Sequence, residues 1–69
     1  MMTEAERAGR IAATKRGIAI FEDAIAITEH TTRERPANVY PMLWVAMLRA
    51  YRVQLAELQE ELRTLEAEQ

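Results

Sequence analysis

The side chains able to do chemistry are few and scattered. His30 is the only histidine, and the positions three and four before it are Ile27 and Ala26, so no helical partner could share a metal ion with it. It reads as a histidine at a helix C-terminus or in a loop, where the helix dipole favours a cation. The chain has no cysteine and no serine, which removes thiolate ligands, disulfides and the serine nucleophile of triad enzymes. Its two glycines, Gly9 and Gly17, do not make a phosphate-cradling loop. No catalytic set, cofactor or metal is expected, and the chain reads as non-enzymatic.

One cluster of charge could still recognise a ligand. Arg7, Arg10, Lys15 and Arg16 fall close together, Arg33 and Arg35 form a second basic pair, and guanidinium groups suit phosphate. Arg7, Arg10 and Arg16 are therefore candidate phosphate contacts. No stacking aromatics are interleaved among them, and the net charge is -2, so no global attraction to nucleic acid or to anionic lipid is expected. A small RNA- or DNA-binding bundle is the alternative reading, not the preferred one.

The elements that must position these groups follow from composition and periodicity. At 69 residues the chain is read as one domain, in the size range where a single core is marginal and self-association is commonly recruited. Hydrophobic residues make up 49% and charged residues 29%, with two glycines and two prolines, the balance of an ordered, helix-rich chain. Met1-Met2-Thr3-Glu4 is acidic and leads straight into a helical pattern, so no targeting segment is expected. The apolar run from Met42 to Leu48 falls far short of the roughly 20 residues of a spanning helix, and a cytoplasmic location is expected. Lys15 is the one lysine against many arginines and alanines, a bias of GC-rich coding that suggests a bacterial or bacteriophage source, with the host cytoplasm as the location in the second case.

Thr3 and Glu6 have the spacing of a capping box, so helix 1 is expected over about residues 3–30, with Ile11, Ile18 and Ile25 recurring every seventh residue and Phe21 between them. Thr31 to Ala37 carries β-branched residues and then Pro36, and the loop is placed at about 31–38. Asn38 is a candidate N-cap, giving helix 2 over about 39–67. Within it Trp44, Leu48, Tyr51, Leu55, Leu58, Leu62 and Leu65 alternate three and four apart as an a/d seam. Two long helices joined by a short loop run antiparallel, so the fold class is all-α, a helical hairpin.

In such a hairpin, facing residue numbers sum to a constant. Thr28/Trp44, Ile25/Leu48, Phe21/Tyr51, Ile18/Leu55, Thr14/Leu58 and Ile11/Leu62 give 72 or 73 throughout. The same register sets Arg10 opposite Glu61 and Glu22 near Arg52. It also lays the basic start of helix 1 beside Glu57, Glu60, Glu61, Glu66 and Glu68, and mutual neutralisation offsets the unfavourable placement of each cluster in its own helix dipole.

The apolar side of helix 1 is wider than one seam. Gly9, Ala13, Gly17, Ile20, Ala24 and Ile27 extend it to about half the circumference, more than one neighbouring helix covers. These six residues are the expected oligomer interface, with small residues at Gly9, Ala13 and Gly17 permitting close approach. Around Met42, Leu43, Trp44, Val45 and Met47, helix 2 is apolar nearly all round, and Tyr40, Met42 and Met47 are a candidate partner surface. The expectation is a homodimer in which two hairpins form a coiled-coil-like four-helix bundle and bind another protein as adaptor, regulator or bacteriophage-encoded inhibitor. A virion structural or assembly component, with higher oligomers, is a further alternative.

Overall fold

The computed structural model describes residues 1–34 and 41–68. It contains two helices, α1 over Glu4–Glu34 and α2 over Pro41–Ala67, packed side by side and antiparallel. The expected Asn38 cap, the start of helix 2 at Val39 and the candidate residue Tyr40 lie outside the described residues.

Helix α1 starts where the capping pattern places it. The Glu6 amide donates to Thr3 Oγ1 at 3.1 Å, and the Arg7 amide donates to the Thr3 carbonyl at 3.0 Å. The Glu6 carboxylate closes the box differently from the usual form: it accepts from the Thr3 hydroxyl at 3.0 Å instead of reaching back to the Thr3 amide.

The far end of α1 is longer than expected. Helix was expected to stop at about His30, yet it continues one turn to Glu34. Threonine hydroxyls explain the difference, since Thr28 donates to the Ala24 carbonyl and Thr32 to the Thr28 carbonyl, each at 2.8 Å. Back-bonding of this kind satisfies a β-branched polar residue inside a helix.

Between the helices the expected register holds. Phe21 and Tyr51 meet with ring centroids 6.0 Å apart and planes tilted by 53°, a geometry favourable for aromatic quadrupoles. Ile11 and Leu65 are buried, and so are Thr14 and Thr28 within the seam. Thr14 resolves its polarity as Thr28 does, donating to the Arg10 carbonyl at 2.8 Å. Ile18, Phe21, Ile25, Trp44, Leu48, Tyr51, Leu55, Leu58 and Leu62 are half-buried, each with one side against the other helix and one side open.

The result is a rod 51 Å long and about 14 Å across. Its radius of gyration is 15.8 Å, whereas a compact chain of this length would have roughly 11 Å. Two helices alone enclose almost no volume, so burial along the seam is thin.

Candidate interaction face

The two long edges of the hairpin, where the flanks of α1 and α2 meet, differ in chemistry. On one edge Arg52 Nη2 lies 2.7 Å from Glu29 Oε2, and Lys15 Nζ lies 4.0 Å from Glu66 Oε2. Glu29, Thr32, Arg33 and Leu48 line a groove there. Two ion pairs bridge the helices along this edge, over a groove whose lining is mostly apolar.

Arg52 was expected near Glu22 and instead pairs with Glu29. Helical side chains lean toward the N-terminus of their own helix, so in antiparallel neighbours Arg52 leans toward the loop end and Glu29 away from it. The two therefore converge from positions about two turns apart. The residue numbers of Arg52 and Glu29 sum to 81, and so do those of Lys15 and Glu66, so one rule of side-chain direction accounts for both pairs.

The other edge is apolar over much of its length. Phe21 of α1 and Ala50, Val53, Gln54 and Glu57 of α2 line a groove along it. Arg10 and Glu61 meet farther along the same edge, with Arg10 Nη2 3.0 Å from Glu61 Oε1, as the register requires. At 100° per residue, Ile20, Ala24, Ile27 and Thr31 form one stripe of α1, on the opposite side of that helix from Lys15 and Glu22. Leu43, Ala46, Ala50 and Val53 form the matching stripe of α2.

Exposure identifies what these stripes lack. Ile20 is 65% exposed, Ile27 66%, Leu43 55% and Val53 52%, and Met42 beside them is 76% exposed. Large aliphatic side chains at such exposure each forgo about 1 to 2 kcal/mol of burial.

Of the expected oligomer residues, Ala13, Ile20 and Ile27 are exposed and Ala24 is half-buried. The two glycines separate. A Cβ built on Gly17 would lie 3.3 Å from Leu58 Cδ1, so this glycine serves the packing of α1 on α2. A Cβ on Gly9 would meet nothing within 4 Å. The α2 members Leu43, Ala46, Ala50 and Val53 were not grouped by sequence reasoning, although their spacing of three, four and three residues carries the signal.

The remaining candidates are placed as follows. Met42 is exposed and Met47 half-buried, while Trp44 is half-buried with an indole N–H that finds no acceptor among the described residues. Arg10 is engaged by Glu61, Arg7 is half-buried, and Arg16 is exposed with no ion pair among the described residues. His30 is exposed, its Nε2 3.9 Å from Glu34 Oε1 one turn on. Among the described residues no three His, Asp or Glu side chains are grouped to hold a metal ion, and neither helix is long and apolar enough to cross a membrane.

By its fold the chain is a two-helix antiparallel hairpin, with two ion pairs across the helices on one edge and the exposed Ile20, Ile27 and Val53 toward the other. Comparison with protein-family models, curated proteins and solved structures returns no match.

Proposed function

We propose that the protein is a non-enzymatic interaction module that works as a homo-oligomer, two hairpins joining through their apolar edges into a four-helix bundle that then presents its outer surface to another protein, as an adaptor or regulator. The observation that carries this reading is surface area. The chain exposes 5332 Å², roughly 900 Å² more than a compact monomer of its mass would. A standard interface removes about 800 Å² from each partner. The surplus is thus close to what one association would cover, and Ile20, Ile27, Leu43 and Val53 supply its apolar centre.

The test is sedimentation equilibrium of the unmodified chain from nanomolar to micromolar concentration, with circular dichroism alongside. A reversible monomer–dimer equilibrium with helicity rising on association is expected. A folded monomer throughout at micromolar concentration would refute the proposal.

The nucleic-acid alternative is weakened by the engagement of Arg10 by Glu61 and Lys15 by Glu66, which neutralises two of the four cations of the basic cluster. Salt-sensitive RNA or DNA binding abolished by an Arg7/Arg10/Arg16 to Ala triple variant would restore it.

A further inference from the structure

We propose that the second hairpin lies with its loop at the same end as the first, α1 of each copy packing on α2 of the other about a two-fold axis parallel to the rod. This rests on the homo-oligomer reading above and specifies its geometry.

Two arrangements can bring apolar edge against apolar edge. With the two-fold axis along the rod, α1 meets the partner's α2. With the axis across the rod, the loops lie at opposite ends and each helix meets its own copy. Apolar spacing suits both, and charge separates them.

In the first arrangement Thr31 faces the partner's Leu43, Ile27 the partner's Ala46, Ala24 the partner's Ala50, and Ile20 the partner's Val53. These numbers sum alternately to 74 and 73, nearly the constant of the hairpin's own seam, so both seams hold along the same rod. Each large side chain of α1 finds an apolar residue of α2, and Ile27 meets the small Ala46, as interdigitating layers require. In the second arrangement a sum of 96 on α2 also matches apolar residues, Leu43 with the partner's Val53 and Ala46 with the partner's Ala50, so apolar spacing serves either arrangement.

Charge favours the first arrangement, since the second brings neither Asp23 nor Arg49 level with an opposite charge. Asp23 and Arg49 are both exposed at the outer margins of their stripes, and their numbers sum to 72, so each lies level with the partner's opposite charge. Arg16, seven residues before Asp23, likewise comes level with the partner's Glu57 at a sum of 73. The bundle would therefore carry a second heptad seam flanked by alternating charge.

The chain has no cysteine, so single-cysteine variants report distances without background. Ile20→Cys and Val53→Cys are prepared separately, checked for native helicity, mixed and oxidised. The expected product is a covalent dimer containing one chain of each kind, with little from either variant alone. Predominant self-crosslinking of Ile20→Cys would place α1 on α1 and overturn the proposal. Absence of any crosslink while the unmodified chain still sediments as a dimer would overturn this geometry and leave the oligomer reading standing. A folded monomer in sedimentation would remove both.

Charge reversal provides a readout independent of cysteine. Asp23→Arg is expected to weaken the dimer roughly tenfold, since it places like charges together twice per bundle, and Arg49→Asp in the same chain is expected to restore most of the loss. No restoration would count against the arrangement.

Discussion

The two ends of the rod are built to different degrees of completion. At the end where α1 begins and α2 finishes, Ile11 and Leu65 are buried, Met2 lines a groove beside Leu65, and Arg10–Glu61 and Lys15–Glu66 pair across the helices. At the loop end apolar residues of similar size are less covered: Met42, Leu43, Val45 and Ile27 are exposed. Helix pairs bury a single seam, and the second end carries far more apolar surface than a seam takes up. Where one chain suffices for its own packing the structure is finished, and where it does not, apolar surface stays open.

Substitutions can break this comparison, beginning with the largest effect. Leu65→Ala, at the finished end, removes a side chain that is only 4% exposed, and is expected to cost about 2 to 5 kcal/mol in urea denaturation. The cost belongs to the single hairpin and is expected to persist in dilute samples where association is negligible. Ile27→Asp, at the open end, acts in the opposite sense. It is expected to leave dilute monomer nearly unchanged while forfeiting about 1 to 2 kcal/mol per chain on association. If both variants lost the same stability at every concentration, the ends would not differ as described.

Why the finished end was easier to read follows from its residues. The leucines of α2 recur without interruption from Leu55 to Leu65, so the seam and its sum of 72 or 73 were legible, and with them the Arg10–Glu61 pair. The direction in which side chains lean was not contained in that arithmetic, which is why Glu29 rather than Glu22 receives Arg52. The last turn of α1 was hidden because threonine lowers helix propensity on average, whereas Thr28 and Thr32 each find a carbonyl one turn back. The apolar stripe of α2 was obscured for a different reason. Ala46 and Ala50 pass for ordinary helix formers, and only the groove that Ala50 shares with Val53 and Phe21 shows that an edge runs there.

The glycines offer a sharper comparison at smaller magnitude, since both lie on α1 but face different surroundings. Gly9→Ala introduces a methyl that meets nothing within the chain, and is expected to stabilise dilute monomer by up to about 1 kcal/mol through helix propensity. Gly17→Ala gains the same propensity but sets a Cβ 3.3 Å from a Leu58 methyl, and is expected to come out near zero. A destabilising Gly9→Ala seen only at dimer-forming concentration would extend the interface to the start of α1.

The smallest effect tests whether charge or apolar packing holds the finished end. Arg10 and Glu61 are 58% and 36% exposed at their side chains, so solvent screens the pair and a double-mutant cycle with alanine at both positions is expected to return about 0.5 kcal/mol. That coupling is expected to shrink on raising salt, as the interaction of exposed charges is screened. A coupling comparable with the loss from Leu65→Ala would mean that the ion pair, not the leucine seam, holds the helices in register. The completeness of this end would then be electrostatic, and high salt would be expected to splay the termini while leaving the loop end unchanged.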